Sequence, residues 1–298
     1  MPLPPWMPSP TLLPRMPTPP TPPTLPMQPA PTRRPDMAVS ARDVKALRDA
    51  TGAGMMDAKK ALTAADGDME AARQILREQG LAKADARTGR ENDQGAIAIA
   101  TNGASAAVVQ LKCETDFSAK NERFTSLVQA LAESVLDAGA GAVDRHSDEI
   151  EDLKLVLKEN IQVGVAERLE AADGNILDSY LHRQDGRGVN AVVVEGSGVG
   201  AESLHQVALH IAFAKPQFLS AEEIPAGEVE RERAALLEIT KAEGKPAQAW
   251  DKIVDGRMRG WYAERVLLEQ GLHGEKTTVR NSIDGGSIVR FVQVTIGD

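Results

Sequence analysis

The sequence predicts an α+β protein in three parts: an N-terminal three-helix module, a duplicated α+β core with antiparallel sheets, and an antiparallel helical hairpin. Three observations carry that reading. Apolar residues recur at helical spacing through residues 37–81 and again through 226–270. Between these stretches, strand-like apolar runs are joined by short turns, one of them the hairpin-favouring Asn102-Gly103, as antiparallel pairing requires. The order hairpin, apolar strand, loop, amphipathic helix also occurs twice, Val108-Val109-Gln110-Leu111 being answered by Val192-Val193-Val194-Glu195.

Residues 1–36 hold 15 of the 18 prolines. Proline fixes φ and lacks an amide donor, so this extension is expected to be disordered or polyproline-like. It has neither the apolar core of a secretory signal nor the Arg-rich amphipathic pattern of a mitochondrial presequence. It reads as an upstream extension ahead of a natural start at Met37, or as a proline-rich ligand for an aromatic groove.

Residues 37–81 form the three-helix module. Ser40 with Asp43 resembles a capping box and opens a helix carrying Val44 and Leu47. Thr51-Gly52-Ala53-Gly54 breaks it, residues 55–62 form the second helix, and Asp66-Gly67-Asp68 turns the chain. The third helix buries Met69, Ala72, Ile75 and Leu76, and Gly80 is expected to end it. Such a bundle has no cleft for chemistry and suits partner docking. Met55 and Met56, beside the glycine turn, read as core filling or as a contact patch. Residues 82–94 are polar without apolar periodicity and read as a linker.

The first core subdomain, residues 95–147, begins with a hairpin of residues 95–100 and 106–111. A connection containing Asp116-Phe117 leads into a helix with Phe124, Leu127, Val128, Leu131 and Val135 on one face and Asn121 as N-cap. Gly139 and Gly141 close it. The second subdomain, residues 148–225, has a helix with Ile150, Leu153, Leu157 and Ile161 in one stripe. A second set of strands follows at 161–169, 176–181 and 189–194. A helix over 203–214, with Leu204, Val207, Ala208 and Ile211 inward, stops at Lys215-Pro216. The two copies differ mainly at the strand-to-helix loop. Residues 226–270 give the helical hairpin about Gly244-Lys245-Pro246, with Val229, Leu236, Leu237 and Ile239 in the first arm and Trp250, Ile253, Val254, Met258, Trp261 and Tyr262 in the second. Within residues 271–298 an alternating segment, 287–296, closes the second subdomain.

Composition narrows the function. The chain has 298 residues, 42% hydrophobic but only 3% aromatic. No apolar run approaches the ~20 residues that cross a bilayer. Cys113 is the single cysteine, so a disulfide framework is excluded and a reducing cytoplasm fits. The formal charge is −9, and the first 36 residues carry three Arg and one Asp, leaving −11 on the remainder. An acidic body argues for a protein partner over a phosphate backbone.

Enzymatic motifs do not hold up. Gly196-Ser197-Gly198-Val199-Gly200-Ala201 matches a dinucleotide fingerprint with Ala in the last position. Glu195 would place negative charge beside a pyrophosphate, and the upstream elements are hairpins, so a turn is the competing reading. No phosphate loop of the Gly-x-x-x-x-Gly-Lys-Ser/Thr type is present. His205 and His210 share a helix but stand about 140° apart around it, a poor geometry for one metal. Cys113 reads as a buried structural thiol. What remains is a non-enzyme with one polar-aromatic loop.

Four stretches together resemble one family. Residues 51–62, Thr-Gly-Ala-Gly-Met-Met-Asp-Ala-Lys-Lys-Ala-Leu, look like the N-terminal motif of bacterial translation elongation factor Ts. Glu114-Thr115-Asp116-Phe117-Ser118-Ala119-Lys120-Asn121 looks like its central Thr-Asp-Phe-Val motif, with Ser118 where the family usually has Val. His210 to Phe218 and Val254-Asp255-Gly256-Arg257-Met258 resemble it too, in the same order. The resemblance implies a guanine nucleotide exchange factor for elongation factor Tu that binds no nucleotide, nucleic acid, membrane or cofactor itself. It implies that the N-terminal module is UBA-like and docks on the partner through Gly52, Gly54, Met55, Met56, Lys59 and Lys60. It further implies that Thr115, Asp116, Phe117 and Ser118 reach the partner's Mg²⁺ and phosphate region, where Phe117 wedges and Asp116 disturbs the magnesium surroundings. A non-catalytic binding adaptor, or a dinucleotide enzyme using residues 196–201, are the alternatives.

Overall fold

The computed structural model describes residues 39–85 and 89–297; the proline-rich stretch lies outside the described residues. Three helices come first: α1 (Ala41–Thr51), α2 (Met55–Ala64) and α3 (Met69–Asp85). Ser40 caps α1 as its sequence suggests, its Oγ accepting from the Asp43 amide at 3.1 Å and donating to the Asp43 carboxylate at 2.6 Å. Gly52 ends α1 in the left-handed region at φ 66, where its N–H bonds the Arg48 carbonyl. Val44, Leu47, Ala58, Ala61, Leu62 and Ala72 form the core of this module.

Gly80 does not end α3, as expected from its usual role; the helix continues to Asp85. The glycine serves packing instead. A Cβ at position 80 would collide with the Leu155 side chain of α6 (Ser147–Leu157), so the glycine lets that side chain sit directly against α3. Arg77 Nη2 meets Asp148 Oδ1 across the same contact at 3.0 Å.

Six strands follow: β1 (Gln94–Thr101), β2 (Ser105–Cys113), β3 (Gln162–Glu170), β4 (Asn175–Gln184), β5 (Arg187–Ser197) and β6 (Ser287–Thr295). All pairings are antiparallel. β3 pairs with β2, which pairs with β1, while β4 pairs with β5, which pairs with β6. One register pair, Ile97 with Gly188, joins the triplets into a single six-stranded sheet. The sequence reading grouped residues 161–169 with the second set; the strand instead belongs to the first, because its partner is β2. In each half the third strand thus lies outside the second strand of its hairpin, which is the duplication in topological form.

The turns follow their residues. Asn102 Oδ1 accepts from the Ala104 and Ser105 amides, and Gly103 takes φ 89. The β4–β5 hairpin turns on Asp185 and Gly186, with φ 52 and 82, as a two-residue turn with both central φ positive requires.

Both faces of β2 and β5 are covered, which is why their sequences run apolar without alternation. Ala107, Val109, Leu111 and Cys113 face α5 (Glu122–Ala138), which buries Phe124, Leu127, Val128, Leu131 and Val135. Val192 and Val194 pack in one core with Leu204, Val207, Ala208 and Ile211 of α7 (Ala201–Ala214). The other faces meet each other: Ile97, Ala106, Val108 and Leu169 pack against Ala191, Val193 and Val294. Inside this layer the buried Gln110 donates from Nε2 to the Thr295 carbonyl at 3.0 Å, a tie between the halves. Each fully buried Leu, Val or Phe contributes about 1.5–3 kcal/mol, so the interlocked layers hold the strand-to-helix connections rigidly.

The hairpin is built from α8 (Ala226–Ala242) and α9 (Trp250–Arg265). Val254, Met258 and Trp261 pack with Val229, Leu236 and Leu237, while Ile239 is exposed and takes no part. Arg257 Nη2 bonds both carboxylate oxygens of Glu243, at 2.7 and 2.8 Å, across the two arms. The short α10 (Val279–Ser282) precedes β6. Among the described residues no helix is long and apolar enough to cross a membrane.

The glycine run at 196–201 is accounted for by this fold. Gly196 and Ser197 are strand residues paired on both sides, with β4 and with β6. A Cβ at Gly196 would press on Leu204, and Gly198 turns the chain at φ 64. Glu195 is buried yet ionised: burial raises its carboxyl pKa, but hydrogen bonds from Asn175 and the Ala172 amide and the Arg290 guanidinium hold it below the usual range. It anchors strands and offers nothing to a pyrophosphate.

Candidate functional site

The Asp116–Phe117 connection is not an open loop. Residues Asp116–Ala119 form a one-turn helix, α4, entered directly from β2. Thr115 is its N-cap, with Oγ1 accepting from the Ser118 amide at 3.3 Å. Behind it, Cys113 Sγ donates to the Thr115 carbonyl at 3.2 Å. That thiol is fully buried, and burial, with the Glu159 charge next in effect, pushes its pKa up to about 12. It stays protonated and structural, as its sequence context suggested.

Four residues cannot sustain a helix by themselves. The turn is held from outside, chiefly by Glu159 in the segment between α6 and β3. Its Oε2 accepts from the Glu114 and Thr115 amides at 3.0 and 3.1 Å, and its Oε1 from the Thr115 hydroxyl at 2.6 Å. Glu114 answers by accepting from the Asn160 amide at 2.7 Å.

On this fixed turn the predicted residues separate into two kinds. Phe117 projects outward, 83% exposed. Asp116 is half-exposed beside it, its carboxylate 2.8 Å from Lys120 Nζ, and that hydrogen bond holds its pKa below the usual value. Lys120 also reaches Asp185 at 3.1 Å, linking α4 to the β4–β5 turn of the other half. Ser118 points the other way and is 7% exposed, so its side chain adds no surface beside Phe117.

The module's residues cluster at the α1–α2 turn. Gly52 and Gly54 shape it, Gly54 in extended conformation at the start of α2. Met55 and Met56 are 49% and 63% exposed, and Lys59 and Lys60 point to solvent. Neither methionine fills the core of the module. A Cβ added at Gly52 would come into ordinary van der Waals contact with Val156, at the C-terminal end of α6. Val156 and Glu159 are three residues apart, so the end of α6 lies beside the first predicted segment and the residues just beyond it hold the second. Sequence reasoning missed this support, because a carboxylate in a polar connection has no local signature.

A second exposed ring was missed as well. Phe213 on α7 is 85% exposed, next to Ala212, whose carbonyl accepts from Asn190 Nδ2. Its helical position, about 200° round from the buried Ile211, was the available signal. His205 and His210 are not brought to one point: His205 Nδ1 lies 2.9 Å from Asp178 Oδ2, whereas His210 Nε2 lies 3.0 Å from Gln270 Oε1 and its ring meets that of His273 edge-on. Among the described residues no cluster of three or more His, Cys, Asp or Glu side chains is arranged to hold a metal ion.

The arrangement is thus a presented aromatic with an adjacent carboxylate, suited to insertion into another molecule. A family model described as elongation factor TS matches residues 114–298. The chain is 41% identical to elongation factor Ts of Cutibacterium acnes, with 88% of this chain and 100% of that protein covered. It is 39% identical to the elongation factor Ts of Clavibacter michiganensis subsp. michiganensis, covering 87% and 98%. To that of Shewanella sediminis it is 38% identical, covering 88% and 92%. The chain belongs to the elongation factor Ts family.

Proposed function

We propose that this chain is a guanine nucleotide exchange factor that binds elongation factor Tu in its GDP form and promotes GDP release, supporting translation elongation in the cytoplasm. Family membership supports the class of protein. The observation that carries the mechanism is the Phe117 ring, left in water at the tip of a turn whose backbone is fixed. An aromatic ring held out in this way gains about 1.5–3 kcal/mol when a partner buries it. The Asp116 carboxylate travels with it into the partner's Mg²⁺ and phosphate region.

Mg²⁺ demands near-ideal octahedral geometry and neutralises phosphate oxygens, so a small displacement of its surroundings loosens GDP. Binding that favours the nucleotide-free partner weakens GDP binding by the same factor, because the coupling is reciprocal. No bond is made or broken by this chain, and no catalytic residue, metal or cofactor is assigned to it. Thr115 sets the turn and Ser118 seats it. The UBA-like module docks through Met55, Met56, Lys59 and Lys60 on the frame of Gly52 and Gly54, while the core and helical hairpin grip other surfaces of the partner. Release of a fluorescent GDP from elongation factor Tu, followed by stopped flow with increasing amounts of this chain, tests the reading. A simple binding adaptor would form the complex and leave the release rate unchanged.

A further inference from the structure

The exposed ring is aimed entirely by backbone, since Phe117 has almost no side-chain contact of its own. Its direction is therefore set by whatever fixes the turn. At an ordinary helix start, a Glu three residues past the N-cap returns to bond the N-cap amide, completing a capping box. In α4 that position is Ser118, buried and too short. Glu159, 44 residues away in sequence from Thr115, takes its place from another segment. It does more than a local cap, because one carboxylate accepts from two successive amides and a hydroxyl. By accepting from the Thr115 hydroxyl it also fixes the side chain that receives the Ser118 amide.

The support is reciprocal and cross-braced. Glu114 Oε1 accepts from the Asn160 amide at 2.7 Å and its Oε2 lies 3.3 Å from Arg90 Nη1, while Asn160 Nδ2 donates to the Arg90 carbonyl at 2.7 Å. Two short segments, 114–115 and 159–160, are thus laced together by adjacent side chains. Charge-assisted bonds to backbone amides are the stronger kind, and here they order a segment that is too short to order itself.

We propose that Glu159 is a positioning residue for nucleotide exchange: it keeps the Asp116–Phe117 turn in the inserting conformation before the partner arrives. The inference rests on the wedge reading given above. Without the clamp the turn samples other conformations, and the maximal exchange rate falls with the fraction that remains competent. The module and hairpin still dock, so the concentration that half-saturates exchange changes little.

The test is GDP release from elongation factor Tu, using the full chain and its Glu159→Ala, Glu159→Gln and Phe117→Ala variants, with melting curves and amide hydrogen exchange at Thr115. Glu159→Ala is expected to lower the maximal rate about tenfold, move half-saturation less than about threefold and speed exchange of the Thr115 amide. Glu159→Gln, which keeps a carbonyl acceptor for the two amides, restores most of the rate. A wild-type rate for Glu159→Ala beside a slow Phe117→Ala overturns the positioning role alone. Wild-type rates for both overturn the wedge and this inference with it. If Glu159→Ala melts early, Thr115→Val decides: it removes the hydroxyl's bond to Glu159 together with the cap on the Ser118 amide that this bond steadies, and a wild-type rate there also overturns the proposal, whereas a several-fold loss in a stable protein supports it.

Discussion

Replacing Phe117 by Ala separates folding from function. The ring is 83% exposed, so its removal takes little surface out of the chain's own packing. Surface substitutions of this kind stay within about 0.5 kcal/mol, and Ala is a good residue in the first turn of a helix. If elongation factor Tu buries the ring, the loss there is about 1.5–3 kcal/mol, or roughly 10- to 150-fold at 1.4 kcal/mol per tenfold. Where the loss is read tells what the ring does. A wedge is buried only as the magnesium surroundings distort, so its loss lowers the maximal release rate. An anchor is buried on first docking, so its loss raises the half-saturating concentration instead. Stopped-flow release of a fluorescent GDP over a range of factor concentrations gives both numbers. An unchanged maximal rate, with the variant folded and saturating, refutes the wedge.

Four further outcomes follow from particular contacts. Lys120→Met removes the cation that holds Asp116 below the usual carboxylate range, so carboxyl NMR should show its titration moving up towards that of an ordinary aspartate. Because that folded pKa is depressed, the pair's contribution is present above the unfolded value and disappears as pH falls through the folded one; a titration that does not move contradicts the contact. Cys113, with its pKa pushed up to about 12 from 9.0, should resist thiol reagents in the native state and react once unfolded, and its burial should cost stability as pH rises from 9 towards 12. Native labelling at the unfolded rate would contradict this. Gly188→Ala sets a Cβ against the Ile97 carbonyl at the seam of the two halves and should lose about 1–3 kcal/mol by urea melting, whereas Gly141→Ala, in open space, should be near neutral. If elongation factor Tu also covers the exposed Phe213, Phe213→Ala should leave the melting temperature unchanged and weaken the complex on the order of fivefold; an unaltered affinity would show that the ring lies outside the contact.

The helices were legible because their buried faces keep a 3.6-residue period, as in Phe124, Leu127, Val128, Leu131 and Val135, all of which are buried. Caps were legible for the same local reason: Ser40 and Asn121 sit where their side chains bond the next turn. What escaped was non-local. The partner of β3 cannot be read from its own residues, because such a strand fits either half of the sheet and only packing chooses. Gly80 carries a local stop signal that the close approach of Leu155 overrides. At the site, Phe117 stood out as an aromatic beside an acid in a connection, yet its exposure depends on Glu159, which lies far off in sequence. Ser118, where the family usually has Val, is buried in the fold and adds no surface beside the ring, which its place next to Phe117 in the sequence does not reveal.

The proposed role is acceleration of nucleotide release from elongation factor Tu through displaced magnesium coordination. The most direct measurement is the rate of GDP release from elongation factor Tu with Mg²⁺ present, as the full chain is titrated in. The account predicts a rate that climbs well above the spontaneous value and saturates, with an advantage that narrows when Mg²⁺ is removed beforehand. A release rate that stays at its spontaneous value while the two proteins demonstrably bind would contradict it.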